Sequence, residues 1–365
     1  NEAGKGDVSG LEFPHYQEQK EVYRLMLADL ETANQLLKSL KADATISDDI
    51  LFNGDAVKWR KYANSLKVRI LMRQSAKKDV SADIAAIFNN AQEYPVFTSI
   101  DDQATLVYNN TVDFYKWYIQ PKNLPSDGSG VIFGDNFRVS EAIVDALQTK
   151  DDPRLPVYVA PTKHSFEAHR ANASVPFVYR GQPAGLSAAE QNEIDKDDYS
   201  VLSSMIRSES RAFVMTFAEL QFLKAEAIIR GMITGNAADE YAKGIRASMQ
   251  KWAAISSDDV DVYLARPDVA LNTAQNEALK QIGTQAWIDS FLNGFEAFAN
   301  WRRTGYPELK VGTSVSSAIP VRYIYSDNEQ NNPNLISWTN EKIGRMVNET
   351  DMVWFQPQKW NTNDK

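Results

Sequence analysis

The chain has 365 residues, 43% of them hydrophobic, enough to bury a substantial core in one large domain or two. Its formal net charge of −9, with no basic cluster to offset it, argues against nucleic acid as a partner, because phosphate binding needs a basic footprint. There are no cysteines, which excludes disulfides, thiol catalysis and thiolate metal sites, and no apolar run reaches the roughly 18 residues of a membrane-spanning helix.

The opening, NEAGKGDVSG, is neither a signal peptide nor an initiator methionine. Tyr16–Leu40 then spaces Tyr16, Val22 or Tyr23, Met26, Leu30, Ala33 and Leu37 as a helix does, with Glu and Lys between them. Gly54–Arg73 aligns Trp59, Tyr62, Ala63, Leu66 and Ile70 along one helical stripe. From Glu93 to Ala212 the punctuation changes: eight prolines and several glycines interrupt the chain. Val139–Leu147, capped by Ser140 and carrying Ile143, Val144 and Leu147, reads as a helix there, and Val175–Tyr179 reads as part of a small hairpin. Periodicity returns in Ala212–Arg230, with Gly231 as its C-cap, and in Ala237–Trp252 and Asn276–Phe291. Short connections between several of these helices predict antiparallel pairs, although no regular repeat of about 34 residues is present.

Phe114–Tyr118, FYKWY, is the sharpest chemical feature of the loop-rich middle third. Aromatic rings dock the flat C–H faces of sugars while neighbouring polar groups bind hydroxyls, so Trp117 and Tyr118, with Tyr115, are the first binding candidates. The competing reading has Phe114 and Trp117 anchoring the loop on the core. Tyr158, Phe166, Tyr179 and Tyr199 are secondary candidates, with loop anchoring as their alternative. A long irregular insertion on a helical scaffold is where binding residues commonly sit.

Signals for catalysis and metal binding are poor. His164 and His169 stand five apart, a spacing that does not suit a helical metal pair, and His15 is isolated. The acidic doublets, from Asp48–Asp49 to Asp258–Asp259, mostly precede apolar runs and read as helix caps. Ser326–Asn332, SDNEQNN, lacks the spacing of a calcium loop and reads as a polar turn. No nucleophile elbow, phosphate loop or zinc-protease helix occurs, and neither a metal nor a cofactor is expected.

Asn293–Leu309, NGFEAFANWRRTGYPEL, predicts a helix that breaks at Gly305 and Pro307. Arg302 and Arg303 cannot share one helical face, so at least one reaches inward, where it needs a carboxylate; this favours a fold-fixing polar core over a binding site. The same segment resembles the C-terminal signature of the SusD/RagB family, surface lipoproteins of Bacteroidetes-type bacteria that capture glycans for import. Gly54–Arg73 resembles that family's early Trp-…-Ala-Asn-Ser-Leu-…-Arg helix, and Val214–Gly231 its Ala-Glu-…-Ala-Glu-Ala helix. Asp152–Leu155 (DPRL) and Tyr179–Gly185 (YRGQPAG) resemble its middle segment; Ile319–Arg322 (IPVR) with Tyr325, Glu329 and Asn332 resembles its closing run. The pattern is most similar to the second SusD-like branch and runs from about Tyr16 to Trp354.

The residues alone predict an α-rich fold; the resemblance implies a mainly α, tetratricopeptide-like helix-pair scaffold with irregular ligand-facing loops. It implies one domain over 1–365: helical 1–92, loop-rich and ligand-facing 93–211, helical 212–304, irregular 305–365. It also implies an outer-membrane, cell-surface location through a lipid anchor absent from this chain, and a SusC-like TonB-dependent transporter as partner. Because family members carry further N-terminal helices, the chain reads as a truncated or processed form. The resulting expectation is a non-enzymatic oligosaccharide receptor. The alternatives are a glycoside hydrolase, which needs two carboxylates facing across a cleft from among groups such as Glu141, Asp145 and Glu167, and a peptide-binding helical-repeat scaffold.

Overall fold

The computed structural model describes residues 15–357 apart from 42–43, 109–130, 132–136, 208–210, 253 and 315–317. Its helices, in chain order, begin with α1 (Gln19–Ser39), α2 (Ala56–Gln74) and α3 (Ser81–Asn89). The middle third holds α4 (Glu141–Gln148), α5 (Leu155–Tyr158), α6 (Lys163–Ala171), α7 (Ala188–Glu193) and α8 (Ser204–Arg207). There follow α9 (Phe217–Ile229), α10 (Ala237–Gln250), α11 (Ser257–Leu264), α12 (Gln275–Asp289) and α13 (Gly294–Thr304). Two helices, α14 (Asp327–Gln330) and α15 (Pro333–Lys342), close the described chain. The protein is mainly α, as expected.

Helix boundaries follow local chemistry. Asp55 accepts the backbone N–H groups of Val57 and Lys58 at the start of α2, and Thr216 accepts that of Glu219 at the start of α9. Gly231 (φ 72°) and Gly305 (φ 81°) take the left-handed conformation that ends α9 and α13, as the sequence predicts. The acidic doublet at Asp258–Asp259 forms a capping box with Ser256. Ser140 occupies the N-cap position of α4, but its side chain makes no cap bond. The stripe predicted on α1 is shifted: Tyr23 and Asn34 are buried, whereas Val22 and Met26 are exposed.

Two expectations fail. The helix expected from Ala212 begins with a strand, because Arg211–Met215 (β2) pairs antiparallel with Ala104–Val107 (β1), Thr105 opposite Phe213. Thr216 then caps the helix proper, so the β-favouring run Phe213–Val214 stays extended while the Ala/Glu/Leu-rich run after it winds. Val175–Tyr179 forms no strand; its backbone is tied to α6 instead, where Val178 N–H donates to Ser165 Oγ.

α9 organises the core. It packs on α10 and α12 along one side and on α2 along another, so it is apolar nearly all round. One cluster gathers Phe222, Ile245, Val144, Leu147 and Tyr158; a second gathers Leu220, Val68, Leu71, Ile84 and Phe97. Phe217 of α9 packs against both. The helices nest large on small: a Cβ on Gly244 of α10 would lie 2.6 Å from the Phe222 ring of α9. Such nesting is what the helix-pair reading expects.

Candidate functional site: a buried ion hub and an open cleft

The two adjacent arginines of α13 resolve first. Arg303 is buried, and both terminal nitrogens of its guanidinium donate to Glu226 at 2.7 Å. Arg230 also donates to Glu226, and Arg303 reaches Asn300 at 2.9 Å. Burial pushes the Glu226 carboxyl up, but Arg303 and Arg230 together pull it down to about 2. Beside this pair Arg69 makes a bidentate contact with Glu219 at 2.5 Å, and Arg73 binds Glu296. Arg302 points elsewhere, its guanidinium 4.1 Å over Phe298 and donating to the Val321 carbonyl.

These ions come from α2, α9 and α13, the helices that carry three of the motifs singled out above. The space left between them is only about 10 Å3, room for a single water at most. The hub therefore fixes the fold and has no capacity for a ligand. DPRL works the same way: Arg154, fully buried, binds Asp152 at 2.6 and 2.9 Å and reaches Ser248 and Gln285. In YRGQPAG a Cβ on Gly181 would lie 2.4 Å from the Glu141 backbone, where the Glu141 N–H donates to the Gln182 carbonyl at the start of α4. Tyr16 and Asn332 both donate to Glu329, and SDNEQNN, read from sequence as a polar turn, instead holds the short helix α14 and the Asn332 cap of α15.

A cleft of about 1060 Å3 opens between α4 and α12, the size class that accepts small-molecule and oligosaccharide ligands. Trp287, Ile288, Val269 and Tyr263 give it an apolar floor, with Trp287 only partly buried against the core. α12 presents Glu277, Lys280, Gln281 and Thr284 in line with Trp287, and α4 presents Glu141, Asp145 and Thr149 from the opposite wall. The third wall is Pro307–Val311, held to the Pro183–Leu186 segment by Ser314, whose N–H and hydroxyl both donate to the Gly185 carbonyl. Gln281 fixes the 270–272 loop by donating to the Ala270 carbonyl and accepting the Asn272 N–H. Salt bridges cross the rim: Lys310 to Glu141 (3.4 Å) and Asp145 (3.8 Å), and Lys280 to Glu308 (3.5 Å). Being exposed, such pairs are weak and free to exchange a partner for a ligand hydroxyl.

Glu141 and Asp145 stand one helical turn apart on the same wall and share Lys310, so they do not face each other across the cleft. Glu167 lies on α6 and does not line it.

The aromatic residues proposed from sequence divide. Tyr115, Trp117 and Tyr118 lie outside the described residues. Tyr158 is fully buried, its ring stacked 4.3 Å from Phe291 and edge-on to Trp252, so it is a core residue with no face for a ligand. Tyr199 is buried beneath Arg180. Tyr179 is half-buried against the larger core cluster, and burial raises its phenol pKa. Phe166 lies near-parallel to the exposed Phe177, whose ring meets His169 at 4.1 Å. Of the described residues, Tyr158, Phe166, Tyr179 and Tyr199 do not line the cleft. Sequence reasoning missed Trp287; the signal was a tryptophan on a helical stripe otherwise made of Glu277, Lys280, Gln281 and Thr284, where a solvent face alone would not call for one.

The comparisons with known proteins agree with this architecture. A family model described as "SusD-like, starch-binding associating with outer membrane" matches residues 1–326. An outer-membrane protein of Bacteroides vulgatus described in connection with nutrient binding is similar at 27% identity and a TM-score of 0.82, over 98% of this chain and 79% of that one. A SusD homologue from Bacteroides fragilis is 25% identical with a TM-score of 0.75, over 96% and 78% of the two chains. A chitin-binding protein is 29% identical with a TM-score of 0.76, over 96% of this chain and 75% of that one. No curated protein matches. No described helix is long and apolar enough to cross a membrane. The chain belongs to the SusD-like family, whose members are nutrient-binding proteins associated with the outer membrane.

Proposed function

We propose that this chain is a non-catalytic, cell-surface oligosaccharide receptor that binds its cargo in the cleft between α4 and α12 and passes it to a TonB-dependent transporter. The observation that carries this reading is the cleft itself: an open volume in a chain of this family, with one tryptophan in its floor and amide, hydroxyl, carboxylate and amino groups around its rim. Trp287 supplies the ring that stacks on a sugar face, and Gln281, Thr284 and Lys310 supply donors and acceptors for hydroxyls. Tyr115, Trp117 and Tyr118 form a second stacking platform in this proposal. Binding by stacking and hydrogen bonds needs no acid–base pair, which fits carboxylates that share one wall and one lysine.

Calorimetric titration against plant, host and microbial oligosaccharides tests this, with chitooligosaccharides first because one similar structure is a chitin-binding protein. Saturable binding with no reducing ends released is expected. Weakening by Trp287→Ala places the cargo in the cleft, weakening by Trp117→Ala alone places it on the second platform, and release of reducing ends overturns the receptor reading.

A further inference from the structure

Away from the cleft, His164, Asp195 and Asp198 come together from two segments that sequence spacing does not connect. His164 lies in the first turn of α6; Asp195 is the N-cap of the short 3-10 turn Lys196–Asp198, and Asp198 is that turn's last residue. His164 Nε2 is 3.0 Å from an Asp195 carboxylate oxygen and 3.9 Å from one of Asp198, and one ligand atom from each residue lies within 4.8 Å of the others. We propose that these three residues form a divalent transition-metal site, with Zn2+ as the ion that fits.

The geometry carries it. Tetrahedral zinc with bonds of about 2.0–2.1 Å to nitrogen and oxygen sets its ligand atoms roughly 3.3 Å apart. The 3.0 and 3.9 Å separations bracket that value, so small side-chain rotations close the three atoms around an ion. An imidazole with two carboxylates selects zinc over calcium or magnesium, which take oxygen alone. Two carboxylates balance the ion's charge, and a fourth position stays open to water.

The frame is also prebuilt. Lys163 binds Asp197 at 2.7 Å, pinning the two ligand-bearing segments side by side and neutralising the nearest ammonium. The second oxygen of Asp195 accepts the Asp197 N–H at 2.9 Å, which turns its partner oxygen toward His164. Thr162 caps α6 and fixes the turn that displays His164. Each ligand side chain is 50–57% exposed, open to entry of an ion. His169 lies outside this group of three; its ring meets Phe177 at 4.1 Å and its Nδ1 donates to the Val175 carbonyl. Bound metal would staple α6 to the 195–198 turn within the loop-rich region.

The test is calorimetric titration of ZnCl2 into the chelator-treated full chain, beside CaCl2, His164→Ala, Asp198→Asn and the control His169→Ala. One equivalent of zinc should bind, with affinity at least about tenfold weaker in His164→Ala and in Asp198→Asn, unchanged in His169→Ala, and no calcium bound at the same site. Circular dichroism checks folding, and the two ligand variants lie on different segments, so the loss of one to misfolding leaves the other to decide. Failure of the wild type to bind one equivalent, or binding that survives both ligand substitutions, overturns the site.

Discussion

The ion hub and the cleft use the same kinds of residue to opposite ends. In the hub, Arg303, Glu226, Arg69 and Glu219 are stripped of water and paired bidentately, with room for at most one solvent molecule. At the cleft rim, Lys310, Glu141, Lys280 and Glu308 keep their solvent and meet singly at 3.4–3.5 Å. A buried pair is rigid and intolerant of losing a member; an exposed pair costs little to rearrange. Charge in this protein therefore fixes the scaffold where it is dry and leaves the surface adaptable where it is wet.

The largest effect should come from breaking the hub. Arg303→Ala leaves Glu226 buried without its principal partner and should cost about 3–5 kcal/mol in chemical denaturation. A smaller, pH-dependent effect should follow from Glu226→Gln. The folded-state carboxyl sits at about 2, below the unfolded value near 4.3, so its contribution is full above the unfolded value and fades as pH falls through the folded one. The stability difference between wild type and this variant should thus be flat from about pH 7 to 5, at roughly 3 kcal/mol, and shrink toward zero near pH 2. Unfolding curves across that range would show a constant gap if the pairing were unimportant.

Next in size is Trp287→Ala, which should weaken oligosaccharide binding by about 1–2 kcal/mol, roughly tenfold, through loss of the stacking face. Lys310→Ala should have the smallest effect, under about 1 kcal/mol on stability, because both its salt bridges are exposed. Denaturation of that variant should be nearly superimposable on wild type, which sharpens the contrast with Arg303→Ala.

The hub was legible in sequence and the cleft was not, for a physical reason. Adjacent arginines on one helix force one inward, and an inward arginine demands a carboxylate, so α13 announced an ion pair before its partner Glu226 was known. Helices with strong periodicity, α2, α10 and α12, were likewise placed to within a few residues. The cleft arises from α4, α12 and the Pro307–Val311 wall, segments far apart in the chain, and no local pattern encodes their meeting. Tyr158 shows the converse error: its neighbours Pro153, Pro156 and Pro161 suggest a surface loop, yet Phe291 and Trp252 enclose its ring. Chain spacing sets His164 against His169, while its partners Asp195 and Asp198 come from a later turn.

The division between scaffold and site is tested most directly by measuring affinity and melting temperature together for Trp287→Ala and Glu226→Gln, using the tightest-binding oligosaccharide. Trp287→Ala should lose about tenfold in affinity with a nearly unchanged melting temperature, and Glu226→Gln should melt several degrees lower with its affinity intact. Full affinity in Trp287→Ala together with weakened binding in a folded Glu226→Gln would contradict it, placing recognition at the hub.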